Sequence, residues 1–167
     1  MKKRAHPILS VPPTPLETLL GVLIVLGSIT VVAITIWGWL TLPAIIPVHY
    51  NLAGEVNAYG GKERLLLLPI ITVCLAAFMI ILSRFPHLYN YPWPITMENA
   101  PRQYALARLM MRWIALEVVW MMCGLQWILI QAAQGDPGNG ILIYVLAMVL
   151  TLVATIIWYI LAASRAR

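Results

Sequence analysis

Residues 42–62, LPAIIPVHYNLAGEVNAYGGK, are a polar interruption between two long apolar runs. Pro43 and Pro47 stop the preceding helix, because proline lacks an N–H and disfavours helical geometry in the residue before it. Gly54 and Gly60 then permit turns that larger side chains forbid. In a chain that is 62% hydrophobic, such polar variety belongs where water, a ligand or a partner meets the protein. We expect an irregular loop here and, within it, any specific function.

The composition of the chain around this loop indicates an integral membrane protein. The mean hydropathy is +0.86 and only 10% of the residues are charged. A helix needs about 20 apolar residues to cross the hydrocarbon core of a bilayer. Runs of that length cover approximately residues 16–42, 65–83, 109–131 and 141–163. The predicted fold class is all-α, with four transmembrane helices in two antiparallel hairpins and the irregular loop, on the extracytoplasmic side, between helices one and two.

The chain divides into a short tail and one membrane domain. Residues 1–15 are basic and then rich in proline, which predicts an irregular cytoplasmic tail. Residues 16–167 form a single four-helix domain in this interpretation. The first apolar run exceeds the roughly 7–15 residues of a signal-peptide core, so we expect it to be retained. Residues 134–140, QGDPGNG, predict a tight turn between helices three and four.

The distribution of positive charge predicts the orientation. Of the eleven Lys and Arg residues, only Lys62 and Arg64 lie between helices one and two, and the other nine fall on the opposite side. Cytoplasmic loops carry the excess of positive residues, so both termini are predicted in the cytoplasm. The net charge of +5 needs no nucleic acid, because anionic lipid beside the cytoplasmic face accounts for it.

The sequence carries no motif that indicates catalysis. It lacks HExxH, CxxC, GxSxG, the P-loop and the glycine-rich dinucleotide motif. In the predicted topology His6 and His87 face the cytoplasm, whereas His49 faces the outside. Cys74 and Cys123 fall inside helices, where thiols serve most simply as small packing residues. We therefore predict no enzymatic activity, no cofactor and no metal.

The outer loop holds a compact set of polar residues that suits recognition. It offers hydrogen-bond donors, acceptors and both signs of charge, interleaved with Tyr50 and Tyr59. Such a set serves the binding of a peptide or a lipid headgroup, and it serves equally a loop that folds on itself. The candidate binding residues are Pro47, His49, Asn51, Gly54, Glu55 and Lys62.

Glu117 and Gln126 are polar residues inside the third predicted span. An intramembrane acid normally faces the interior of a helix bundle or a polar partner. The candidate partners of Glu117 are Thr30, Thr35, Thr155 and Arg112. Adhesion between helices is favoured over a proton or ion pathway as the role of Glu117.

The motif Pro43-x3-Pro47-x-His49-x4-Gly54-x5-Gly60-x-Lys62 after a first membrane helix resembles a known bacterial domain. It is similar to the membrane domain of unknown function that forms the N-terminal part of SdpI-type immunity proteins, which protect a cell from its own secreted antimicrobial peptide. The segment YPWPITMENAPRQYALAR resembles an extension in stand-alone members of that domain family. The resemblance implies a stand-alone four-helix member in the inner membrane of a bacterium. No enzymatic activity follows from the resemblance.

Three functions follow as expectations. The leading one is a non-enzymatic binding module that recognises a peptide, a lipid or a partner protein through residues 43–62. The second is a small accessory subunit packed against a larger membrane complex. The third is proton or ion handling centred on Glu117. Besides the lipid bilayer, the expected partners are a secreted peptide or another membrane protein.

Overall fold

A computed structural model of the chain describes residues 6–51, 56–135 and 141–166. Four long helices, one β-hairpin and two short 3₁₀ turns make up the fold. In chain order these are α1 (Pro15–Thr41), β1 (Ile45–Tyr50), β2 (Val56–Gly61), a 3₁₀ turn (Lys62–Leu66), α2 (Leu67–Leu82), a second 3₁₀ turn (Pro86–Leu88), α3 (Ala100–Ala133) and α4 (Ile141–Arg165).

Four segments within the described residues are long and apolar enough to cross a membrane: Pro15–Thr41, Lys62–Leu82, Ala100–Ala133 and Leu142–Arg165. The prediction of four spans is thus confirmed at the level of length and composition. The third predicted span, 109–131, lies within a longer helix that begins at Ala100, because the helix continues through Arg102 and Arg108 before the apolar run. The arrangement as two antiparallel hairpins and the side on which the termini lie stay predictions.

Residues 14–17 determine where α1 starts. Thr14 is the N-cap, and its Oγ1 accepts a hydrogen bond from the backbone N–H of Glu17 at 3.2 Å. The Glu17 carboxylate accepts in return from the Thr14 N–H at 2.6 Å. Pro15 occupies the first helical turn, where its missing N–H costs nothing. This capping box explains why the helix begins where the proline-rich segment ends.

Helix α3 is the centre of the bundle and packs against the other three helices. Its interface with α1 depends on small residues of α1, as a Cβ on Gly27 would lie 2.6 Å from Cγ1 of Val119. A Cβ on Gly38 would similarly lie 2.5 Å from Cδ1 of Ile130. These glycines let the two backbones approach closely, which is how membrane helices gain packing energy.

The prediction of an irregular loop between α1 and α2 is wrong. This connection contains two β-strands, so the fold is not purely helical. Strands β1 and β2 form a two-stranded antiparallel sheet in which Ile46 faces Gly60 and Pro47 faces Tyr59. The register shifts on both sides of His49, which marks a β-bulge. Such an irregularity accommodates Pro47, since proline cannot donate to a regular ladder.

Of the predicted N-terminal tail, residues 1–5 lie outside the described residues, and residues 6–14 carry no helix or strand and lie against the bundle. Carbonyl oxygens along this segment accept hydrogen bonds from side chains of α3. The Tyr104 hydroxyl donates to the Pro7 carbonyl at 2.7 Å, and Arg108 donates to the carbonyls of Val11 and Pro12. Because proline offers a carbonyl acceptor and no competing N–H, a proline-rich segment suits this mode of docking.

Tyr89 lies in the connection between α2 and α3, and its side chain is partly buried. The Tyr89 hydroxyl donates to the Leu82 carbonyl at 3.0 Å. Removal from water raises the pKa of Tyr89 to about 12. Tyr89, with Tyr91 and Trp93, packs against a buried cluster formed by Ala107, Tyr159 and Ala163. This connection is thus packed against helices α3 and α4.

Candidate functional site

The hairpin is held on the bundle by a small apolar cluster. Leu42, Ile46, Leu65 and Ile130 are buried together where β1, the first 3₁₀ turn, and the ends of α1 and α3 meet. The buried contacts of this cluster therefore hold the hairpin against α3.

His49 lies on the exposed side of the hairpin. Its Nδ1 is 2.5 Å from Oδ1 of Asn57 on the facing strand. Because an amide oxygen only accepts, His49 donates from Nδ1, which leaves Nε2 as the nitrogen that can meet a second partner. Both side chains are exposed. The hydrogen bond between His49 and Asn57 joins the two strands at the bulge, and the imidazole of His49 is exposed.

Lys62 is turned toward α1. Its Nζ donates to the Trp39 carbonyl at 2.9 Å and lies 5.0 Å from the centre of the Trp39 ring. Its backbone N–H donates to the Ala44 carbonyl at 3.0 Å. A cation at the C-terminal end of a helix is stabilised by the unpaired carbonyls and the helix dipole. These contacts give Lys62 a structural role, and its role in ligand binding stays a prediction.

The other predicted loop residues are less closely grouped. Pro47 is half-buried within β1, and Asn51 is exposed directly after that strand. Gly54 and Glu55 lie outside the described residues. The structure therefore brings Pro47, His49 and Asn51 onto one strand and its end, with Lys62 at the base of the hairpin.

A groove of about 680 Å³ lies between the hairpin and the bundle. Strand β1 forms one wall, through Ile46, Pro47 and Val48. The start of α2 forms the other wall with aliphatic side chains, and Gln126 and Leu129 of α3 complete the lining. Glu63 and Arg64 are the charged residues of the lining, and both side chains are exposed. The groove is thus apolar with a charged rim.

Gln126 is the polar residue that α3 contributes to the described lining of this groove. Its side chain is fully buried, and its Nε2 donates to Oγ1 of Thr35 at 3.0 Å and to the Leu65 carbonyl at 3.1 Å. Its Oε1 is buried and has no hydrogen-bond partner within the part of the chain that the structure describes. Gln126 was predicted only as an intramembrane polar residue, and it belongs to the same site as Pro47.

The orientation of this amide is determined by its neighbours. The Thr35 hydroxyl donates its hydrogen to the Val31 carbonyl at 2.7 Å, so Oγ1 can only accept from Gln126. The Leu65 carbonyl is also an acceptor. If the amide were reversed, its oxygen would face two acceptors, which is unfavourable. The Gln126 oxygen is therefore a buried acceptor that has no hydrogen-bond partner among the described residues.

Glu117 is separate from this site. It lies nine positions before Gln126, about 13 Å along the helix at 1.5 Å per residue. Among its candidate partners the structure selects Thr155 of α4, whose hydroxyl donates to Oε1 of Glu117 at 2.6 Å. The other carboxyl oxygen, Oε2, is buried without a partner among the described residues. The observed bond joins α3 to α4.

A buried ion pair was missed from the sequence. Arg108 Nε of α3 lies 3.0 Å from Oε1 of Glu17 in α1. Arg112 adds a hydrogen bond from Nη1 to the Glu17 carbonyl at 2.5 Å. The signal in the sequence is the TPLE stretch at residues 14–17, which marks a capping box and a carboxylate at a helix start. The partner of that carboxylate, 91 residues away, has no local signature.

The described residues contain no group of three His, Cys, Asp or Glu side chains that could hold a metal ion. The lining residues that the structure describes include no histidine, cysteine or serine. The chemistry that the groove offers is therefore apolar contact and the two exposed charges of Glu63 and Arg64.

Comparison with known proteins relates part of the chain to a family. Residues 26–73 match the family described as Domain of unknown function (DUF1648). An uncharacterized protein of Archaeoglobus fulgidus is 29% identical over 89 residues, which cover 50% of this chain and 49% of that protein. The chain thus spans about half the length of this curated relative. No solved structure matches the chain. The matched residues run from α1 through the hairpin into α2, and so include the β1 wall of the groove and the turn that carries Glu63 and Arg64.

Proposed function

We propose that this chain is a non-enzymatic binding module in a membrane, and that its site is the groove between the hairpin and α3. The observation that carries the proposal is the mainly aliphatic groove between the hairpin and α3, which is bordered by the exposed charges of Glu63 and Arg64. A volume of about 680 Å³ falls within the range of about 300–1,000 Å³ that small-molecule sites occupy. Convergence of a few polar groups in an apolar pocket is typical of such sites.

The side chains around the groove favour binding over catalysis. Catalysis by acid–base or nucleophilic chemistry needs a nucleophile or a base within hydrogen-bond distance of the reacting atom. The described lining offers the carboxylate of Glu63, which is exposed, and the guanidinium of Arg64. His49 lies on the hairpin with its Nδ1 committed to Asn57. These groups suit recognition of a polar headgroup at the rim.

We further propose that the groove opens on the extracytoplasmic side of a bacterial cytoplasmic membrane, with both termini inside. The excess of Lys and Arg outside residues 42–64 supports this orientation. The resemblance of the hairpin motif to SdpI-type immunity proteins supports an external ligand, such as a secreted peptide, a lipid or a partner protein.

An accessory-subunit function is the second candidate, and α4 is the observation that favours it. Only 6% of its span is buried within the described structure, against 28% for each of the other three spans. Large aliphatic residues such as Leu142, Ile143 and Leu150 are at least two-thirds exposed on this helix. Lipid or a second membrane protein covers this face in a membrane.

Site-directed photocrosslinking in native membranes tests the binding proposal. A benzophenone amino acid in place of Val48 lies in the groove wall, and the same residue in place of Leu150 serves as a control on the exposed face of α4. We expect a discrete adduct from position 48 that is absent at position 150 and is lost when Leu129→Trp fills the groove. Adducts that are identical at both positions, or that persist with Leu129→Trp, would contradict the proposal.

A further inference from the structure

A polar cluster formed by Glu17, Arg108 and Arg112 lies where α1 meets α3, far from the groove. Arg112 lies 14 positions before Gln126, which is about 21 Å along the helix at 1.5 Å per residue. Its Nη1 donates to the carbonyl of Glu17 in the first turn of α1. Because α1 is long and apolar enough to cross a membrane, Arg112 is level with one end of a candidate span. Lipid headgroups lie at the ends of a membrane span.

This arginine cluster carries more positive charge than negative. The Glu17 carboxylate is the ion-pair partner of Arg108, whose Nε lies 3.0 Å from Oε1 of Glu17. Arg112 bonds only the neutral carbonyl of Glu17, and it has no ion pair within the described part of the chain. Glu117, the acid closest to it in sequence, accepts from the Thr155 hydroxyl instead. Two guanidinium groups therefore share one carboxylate, which leaves one positive charge without a counter-ion.

The Arg112 guanidinium is held against α1 but is not sealed inside the bundle. A Cβ on Gly21 would lie 2.8 Å from Nη1 of Arg112, so the absence of a side chain at position 21 makes room for the guanidinium. The Nε of Arg112 is buried and has no hydrogen-bond partner among the described residues. Tyr89 borders the cluster, since its pKa, which burial raises, is partly lowered by the charges of Arg108 and Arg112. Arg112 itself is partly exposed, so its charge is accessible from the surroundings.

The excess charge of the arginine cluster favours an anion as its ligand. A partly buried charge without a counter-ion is unfavourable, and an anion that approaches it removes that penalty. Guanidinium groups bind phosphate through two parallel hydrogen bonds. At the end of a membrane span the phosphates of lipid headgroups are the most abundant anions, and basic pockets between membrane helices bind such headgroups. A headgroup with a net negative charge suits the cluster better than a zwitterionic one, which brings its own cation close to Arg108 and Arg112.

We propose that Arg112, with Arg108 beside it, binds the phosphate of an anionic phospholipid where α1 meets α3. This lipid site is separate from the groove and does not depend on the proposed function. Phosphatidylglycerol is the test ligand. Phosphatidylcholine with the same chains is the matched control, because it keeps the phosphate and adds a quaternary ammonium that cancels the net charge. Inorganic phosphate is the third probe, since it supplies the anion without the chains.

Native mass spectrometry of the full-length protein measures this preference. The protein in detergent receives equal amounts of dioleoyl-phosphatidylglycerol and dioleoyl-phosphatidylcholine, and the retained molecules of each lipid are counted. One hydrogen bond between charged groups predicts a preference of about tenfold for phosphatidylglycerol. Arg112→Gln should remove most of this preference, whereas Arg102→Gln, which removes an exposed charge from the same helix, should leave it. An excess of inorganic phosphate should not displace the bound lipid.

Three outcomes overturn the inference. Equal retention of the two lipids by the wild-type protein would show that the cluster does not select an anionic headgroup. Equal losses in the Arg112→Gln and Arg102→Gln variants would show attraction to general surface charge, and displacement by inorganic phosphate would show a site for a soluble anion.

Arg112→Lys replaces Arg112→Gln if the latter does not accumulate. Lysine keeps the charge and a donor for the Glu17 carbonyl, but it lacks the paired N–H groups that match a phosphate. The preference for phosphatidylglycerol should therefore fall in this variant as well. An unchanged preference in a folded variant at position 112 would overturn the inference.

Discussion

Glu17 of α1 and Arg108 of α3 form an ion pair across the bundle, with 1% and 11% of their side chains exposed. The Glu17 carboxylate also accepts from the Thr14 N–H, so one buried group both starts α1 and joins it to α3. Arg108 in turn donates to the carbonyl oxygens of Val11 and Pro12. The pair therefore couples the N-terminal segment, the first helix and the third helix.

Removal of one member of this pair should be strongly destabilising. Glu17→Gln leaves the Arg108 charge buried without its counter-ion, and we expect a loss of about 3 kcal/mol in the free energy of unfolding. Thermal unfolding in detergent measures the effect, with Arg102→Gln as the control because Arg102 is exposed on the same helix. Equal unfolding midpoints for the Glu17 and Arg102 variants would show that the pair does not support the bundle.

Glu117 and Thr155 should contribute to the α3–α4 contact through their hydrogen bond. Glu117→Gln keeps an acceptor for the Thr155 hydroxyl and should unfold within a few degrees of the wild type. Glu117→Leu and Thr155→Val each remove the bond and should cost about 1 kcal/mol, as interhelical hydrogen bonds in membranes do. The double variant should lose no more than either single one. Additive losses would mean that the two side chains act independently.

His49→Ala should leave the fold intact. The hydrogen bond to Asn57 is exposed, so its loss should cost no more than about 1 kcal/mol, or roughly 3 °C in the unfolding midpoint of a chain of this size. Asn57→Ala is the matched variant and should behave alike. Membrane abundance and the thermal midpoint are the readouts. A failure of either variant to accumulate would show that this bond is required for the hairpin to form.

The orientation can be tested with reporter fusions. An enzyme that is active only outside the cytoplasm should be active at Ala58, within β2, and inactive at Asn90, between α2 and α3. A reporter that is active only inside should give the reverse pattern. The nine positive residues on the predicted inner side are the physical basis of this expectation. Activity of the outside reporter at Asn90 would reverse the topology and place the groove on the cytoplasmic side.

The local parts of this fold could be predicted from the sequence. The first span was expected at 16–42 and α1 covers Pro15–Thr41, because Pro15 and Pro43 mark its ends. The hairpin was missed because Pro47 and the bulge beside His49 interrupt the alternation that identifies a strand. The third predicted span, 109–131, lies within α3, whose helix extends back to Ala100.

The candidate site depends on contacts that a sequence does not display. Gln126 meets the Leu65 carbonyl from 61 positions away, and the groove exists only because β1 packs beside both α2 and α3. Pro47 was identified through the hairpin motif and Gln126 through its depth in a span. That they line one groove, and that the Gln126 oxygen has no partner within the described residues, required the structure.

The groove-dependent adduct at position 48 tests the central claim most directly. The benzophenone residue replaces Val48 first in the otherwise wild-type chain and then in a chain that also carries Leu129→Trp. A chain that carries Leu150→Trp instead is the control. The account predicts one discrete adduct that Leu129→Trp eliminates and Leu150→Trp preserves. An adduct that is unchanged by Leu129→Trp, or one that matches the bulk lipid captured at position 150, would contradict a binding site between the hairpin and α3.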